Sequence, residues 1–163
     1  MLFHYLIVDW VGWLTFGFVA TAVLTAIMVA AQLGRLTRMD LPTMLGTMVT
    51  ADLDRARLPG ILIHFVNGQL FALFYASAFA LMGRSGWLLG SAFGLVHGLL
   101  ALTLIIPTLP AIHPRMASER TGFEFAALEP PALFAQNYGR RTVAVTLLAH
   151  LAYGAILGGF LKP

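Results

Sequence analysis

The sequence predicts an all-α membrane protein: a four-transmembrane-helix bundle with a short interfacial amphipathic helix. Three observations lead there. Apolar residues make up 59% of the 163 positions and charged residues 10%, against roughly a quarter charged in soluble proteins, and the mean hydropathy is +0.83. Four runs reach the length of about 20 apolar residues that a helix needs to cross a bilayer, and none contains Asp, Glu, Lys or Arg. The long connections between them hold most of the arginines. The chain reads as one membrane domain over residues 1–163.

The first span is read over residues 10–33. The segment before it, Met1 to Asp9, lacks the positive charge that opens a signal peptide, so this run is taken as a retained span. The loop 34–59 contains Leu41, Met44, Leu45 and Met48 at the i, i+3, i+4, i+7 spacing of an amphipathic helix, with Asp40 as N-cap and Pro42 in its first turn. That helix is expected to lie at the membrane interface. The second span covers residues 60–82, and Gly83-Arg84-Ser85 turns it tightly into the third, residues 86–109, where Pro107 is expected to bend or end the helix. The loop 110–141 carries four prolines and an apolar stretch, Phe123 to Phe134, too apolar for a free loop. It is expected to fold back on the bundle mouth or pack on a neighbour. The fourth span covers residues 142–161.

The two long loops lie on one side and carry Arg35, Arg38, Arg55, Arg57, Arg115, Arg120, Arg140 and Arg141, whereas the opposite side has Arg84 and Lys162. By the positive-inside rule the long loops face the cytoplasm and both termini lie outside. A bacterial inner membrane is the expected location.

Composition also excludes. With no cysteine, disulfides, thiolate metal sites and iron–sulfur clusters are out. The net charge of +3 rests on scattered arginines, with no basic stripe interleaved with aromatics, so nucleic acid is not an expected partner. No carboxylate lies in a span, which argues against a proton relay or ion pathway. No phosphate loop or nucleophile elbow is present, so the reading leans away from an enzyme.

Small residues recur at helical spacing. The third span has Gly86, Gly90, Gly94 and Gly98; the fourth has Gly154 and Gly158; the second has Gly68, Ala72, Ala76 and Ala80; the first has Ala22, Ala26 and Ala30. Such ridges let helix backbones approach closely. Four ridges exceed what one bundle needs, which points to other membrane subunits or a homo-oligomer as partners, besides the lipid bilayer.

Three histidines lie within spans: His64, His97 and His150. At 100° per residue, His97 stands about 20° from Gly86 and about 60° from Gly94 around its helix, so it faces the ridge. His64 and His150 head ridges of their own and face each other if the helices tilt. An ionisable group inside a span is a functional candidate, and imidazole is a common metal ligand. These three are the candidate cofactor-binding residues, with haem b or a chlorophyll-type pigment as the group. The alternative for each is an interhelical hydrogen bond. On the loop side His113 and Glu124 are the candidate metal ligands, near Asp52 and Asp54, a nitrogen and oxygen mix suited to zinc, iron or manganese. Asp52 and Asp54 are read more simply as partners of Arg55 and Arg57, and Glu124 as a partner of Arg115 or Arg120.

His64-Phe-x-x-Gly68, His113-Pro-Arg-Met116 and His150-x-x-Tyr-Gly154 together resemble a group of small uncharacterised four-span bacterial integral membrane proteins. The resemblance covers the last two-thirds of the chain and implies the topology but no activity. The expected function is therefore a small accessory subunit of a larger membrane assembly, of redox or light-harvesting type, that packs through its ridges and lends an axial histidine. A stand-alone haem or metal electron-transfer protein is the alternative, and a transporter the third.

Overall fold

A computed structural model describes residues 9–118 and 128–163. The chain is an all-α four-helix bundle in which four helices are long and apolar enough to cross a membrane. It is an integral membrane protein whose apolar helix surfaces contact lipid.

Helix α1 spans Trp10–Leu33, and the Asp9 carboxylate caps it by accepting the Gly12 N–H at 2.8 Å. Helix α2 spans Leu41–Gly46, with Asp40 accepting the Thr43 N–H at 3.1 Å. Helix α3 spans Leu53–Met82. It starts seven residues before the expected span because Asp52 caps it, accepting the N–H groups of Asp54 and Arg55. Pro59 sits inside α3, in its second turn, without ending it.

Helix α4 spans Trp87–Leu100. A π-helical turn, Ala101–Ile105, follows it and leads straight into α5, Ile106–Ile112. Of the two outcomes expected at Pro107, a bend or an end, the helix does not end there: the helical path runs through it to Ile112. A proline ring clashes with the carbonyl four residues back in a regular α-helix, and the wider turn, closed by the Ile106 N–H on the Ala101 carbonyl, gives room. Helix α6 spans Thr142–Phe160.

The chain divides into two compact units. The first comprises residues 9–27, 65–98 and 147–163. Here α4 lies against α6 at backbone contact. A Cβ at Gly90 would overlap the Gly154 carbonyl oxygen and stand 2.7 Å from Gly158 Cα; one at Gly154 would overlap the Gly90 carbonyl; one at Gly94 would overlap the His150 carbonyl. Gly98 faces the His150 and Leu147 side chains. Gly86 meets α6 through its backbone, its carbonyl standing where a Cβ at Gly158 would lie; a Cβ at Gly86 itself meets nothing within 4 Å, and its φ of +139° favours glycine. Its N–H donates to the Gly158 carbonyl at 2.7 Å. Helices α1 and α3 meet through Gly17 against Gln69 and Ala72, and Gly68 against Thr21. The Trp13 indole N–H donates to the Gln69 carbonyl at 2.8 Å, and the Gln69 side-chain amide donates to the Leu14 carbonyl at 3.0 Å.

The second unit comprises residues 28–64 and 99–146. Here the apolar side of α2 is covered by protein. Pro42, Met44, Leu45 and Gly46 are all buried on protein. A Cβ at Gly46 would overlap the Ala56 carbonyl, and one at Gly60 would overlap the Pro42 carbonyl. Of the second loop, Pro131, Ala135 and Tyr138 are buried while Leu133 is 55% exposed, and residues 119–127, with most of the apolar stretch expected to fold back, lie outside the described residues. A tight turn over Leu133–Tyr138 holds Phe134 and Ala135 at positive φ, and Ala132 just before it is at φ 57°. Such conformations cost about 1–3 kcal/mol each and persist where surroundings over-determine them. The fixing bonds are visible. The Asn137 N–H donates to the Pro131 carbonyl, its amide to the Pro130 carbonyl, and the Arg38 guanidinium to the Asn137 carbonyl.

Candidate functional site

The strongest concentration of chemistry in the first unit surrounds His97. The His97 ring packs on Phe71 at 4.0 Å between centroids and meets the His150 ring edge-on at 4.7 Å. Tyr75 and Tyr153 lie at 6.1 and 5.9 Å. The Tyr75 hydroxyl is 3.5 Å from His97 Nδ1. Tyr153 donates its hydroxyl to the Gly68 carbonyl at 2.6 Å, tying α6 to α3. Phe79 and Phe93 close the cluster around Tyr75.

The local sequence explains the arrangement. His97 follows Gly94 by three residues and His150 precedes Gly154 by four, so each ring emerges where the backbones touch. The tyrosines were not singled out from sequence. The available signal was that a phenol inside a span needs an acceptor, and Tyr153 already stood in the quoted His150-x-x-Tyr motif.

Of the three histidines proposed as ligands, His97 and His150 come together within the first unit. His64 belongs to the second unit, where it is half-buried. A haem clamped by two histidines needs the macrocycle between two imidazoles, each about 2 Å from the metal. His97 and His150 stand edge to face, on helices in backbone contact at Gly94. No slot for a macrocycle exists between them.

On the loop side His113 is 2% exposed. The Arg115 N–H donates to its Nδ1 at 3.1 Å, which fixes the tautomer. Nε2 therefore carries the proton and donates to the Met44 carbonyl at 2.9 Å, with Thr47 Oγ1 at 3.3 Å. Arg115 Nη1 donates to the Thr47 carbonyl at 2.7 Å. His113 and Arg115 thus add donors to the carbonyls at the end of α2, where the Thr47 hydroxyl also donates to the Met44 carbonyl at 3.0 Å. Both ring nitrogens are engaged, so this arrangement offers no lone pair to a metal. Glu124, the other proposed ligand, lies outside the described residues. Among the described residues no group of three or more His, Asp or Glu is placed to hold a metal. Asp52 pairs with Arg55 at 3.1 Å, as expected, and Asp40 rather than Asp54 stands 4.0 Å from Arg57.

Nearby, burial pushes the Tyr138 phenol up to about 12; Glu129 adds to the rise and Arg38 opposes it. It stays protonated at physiological pH and donates to the Glu129 carbonyl at 2.6 Å. The Arg38 N–H donates to the Tyr138 carbonyl, and its guanidinium pairs with Glu129 at 3.2 Å.

Fold and site define a four-span helical membrane protein with a mid-span histidine–tyrosine cluster. Comparison with protein-family models, curated proteins and solved structures finds no significant match to this chain.

Proposed function

We propose that the protein is a small accessory subunit of a larger membrane assembly, of redox or light-harvesting type. One observation carries this reading. The glycine ridges of α4 and α6 close on each other within the chain, but the small-residue ridge of α1 does not turn inward. Ala26 and Ala30 are exposed and Ala22 is half-exposed, while the buried face of α1 runs through Gly17, Ala20, Thr21, Leu24 and Met28. An outward ridge of alanines favours a close helix partner over lipid alone, since dispersion contacts drive helix association in a bilayer. His97, half-buried on α4, is the histidine best placed to lend an axial imidazole to a haem or pigment of that assembly. The stand-alone reading has less support, because His97 and His150 leave no room to clamp a macrocycle.

Mild purification tests the reading through what co-purifies, the absorption spectrum and the metal content. A Soret or pigment band lost in His97→Gln, with assembly retained, is the expected result for an axial ligand. Interhelical hydrogen bonds in membranes average about 0.6 kcal/mol, so Gln is tolerated at 64, 97 and 150 if the histidines only bridge helices. A colourless, metal-free protein with that tolerance removes the ligand role.

The same proposal places the protein in a bacterial inner membrane with both long loops in the cytoplasm, supported by the eight-to-two bias of arginine and lysine. Cysteines introduced at residue 49, where Val49 is 63% exposed in the first long loop, and at the exposed residue 84 are the test. Residue 84 should label in intact cells and residue 49 only after permeabilisation; the reverse pattern overturns the orientation.

A further inference from the structure

Helix α3 presents an amide to the hydrocarbon. Asn67 lies midway along its 30 residues and is exposed. Its neighbours on that face, Val66, Leu70 and Phe74, are 60–63% exposed. Thr21, Thr25 and Thr103 lie in spans too, but each donates to the carbonyl four residues back in its own helix. The Asn67 amide makes no hydrogen bond to any described residue. Lipid tails offer neither donor nor acceptor, and polar groups at this depth almost always face protein or a water-filled cavity.

We infer that the exposed face of α3 around Asn67, Leu70 and Phe74 is the contact between two copies of this chain, with the two Asn67 amides paired across a two-fold axis. Copies inserted in one orientation are related by an axis along the membrane normal, which brings each residue opposite its twin at equal depth. An amide carries one carbonyl acceptor and one NH2 donor, so two facing asparagines satisfy each other with two hydrogen bonds. A two-fold contact is self-complementary in this way by construction. No charged side chain lies on the α3 face beyond Arg57 to select a partner of opposite charge. Leu70 and Phe74, one and two turns along, supply the packing surface. This inference is independent of the accessory-subunit reading, which rests on α1.

The chain has no cysteine, so single cysteines report contacts cleanly. Leu70→Cys and Phe74→Cys keep Asn67, and a short thiol-reactive bifunctional reagent in native membranes should give a homodimer from each. Leu148→Cys on α6, similarly exposed at 58%, is the collision control and should not. Energy transfer between two differently labelled pools in vesicles then measures the dimer itself. Asn67→Leu should weaken it on the order of fivefold to tenfold, as expected for losing two bonds of average membrane strength, and Asn67→Gln should retain most of it. Equal cross-linking at 70, 74 and 148, cross-links only to a different protein, or an unchanged dimer in Asn67→Leu would each overturn the inference.

Discussion

Gly90→Leu is expected to lower the stability of the purified protein by about 3 kcal/mol, the upper part of the usual overpacking range. Most overpacked sites relax because the opposing atoms belong to flexible side chains. At Gly90 the opposing atoms are backbone, the Gly154 carbonyl and Gly158 Cα, so relief requires α4 and α6 to separate. Separation would also break the hydrogen bond from the Gly86 N–H to the Gly158 carbonyl and that from the Ser85 hydroxyl to the Leu161 carbonyl. Gly159→Leu is the matched control. Gly159 is exposed, and the nearest atom to a Cβ there is Trp87 Cβ at 3.9 Å, so little change is expected. Thermal melting in detergent reads both. Equal effects at 90 and 159 would mean that the close contact of α4 and α6 is absent.

His113→Ala is expected to cost a similar amount, about 3 kcal/mol. It leaves the Arg115 N–H without its acceptor and takes one of two donors from the Met44 carbonyl, where the Thr47 hydroxyl remains at 3.0 Å; a buried unsatisfied group costs about 1–3 kcal/mol, and the emptied, almost fully closed site adds to the loss. His113→Gln restores one donor and should recover part of the loss. Chelation separates this role from a metal site: with both ring nitrogens engaged, a strong chelator should leave the melting temperature unchanged. A drop on chelation matching that of His113→Ala would contradict the hydrogen-bonded clamp.

Much of the architecture was legible in the sequence because membrane spans announce themselves by apolar length. The α1 bounds match the expected ones, and α6 ends one residue earlier than expected. The start of α3 was not legible, because an apolar-length criterion stops at Arg57, whereas the helix is fixed by the Asp52 cap beyond it. That the helix continues past Pro107 was not legible for a related reason: the sequence shows the ring but not the π-helical turn that accommodates it. The apolar set of α2 was correctly seen as one-sided, yet the pattern does not distinguish lipid from protein as the covering surface, and here the cover is protein.

At the histidines, helical angles placed His97 on the glycine ridge, where the structure has it. Its partner depended on the register between α4 and α6, which is a tertiary property, and His150 meets His97. His113 looked like a ligand because sequence shows a nitrogen donor but not the Arg115 N–H that occupies it.

The central claim is that the outward ridge of α1 binds another subunit, and the most direct measurement is the native mass of the mildly solubilised protein, wild type against Ala26→Leu. Ala26 is exposed, so leucine there should leave the melting temperature of the isolated chain unchanged. The account predicts a wild-type complex with a second polypeptide in fixed stoichiometry, lost or sharply reduced in Ala26→Leu. A wild-type protein that carries no other polypeptide, or an Ala26→Leu protein that keeps its full complement, would contradict it.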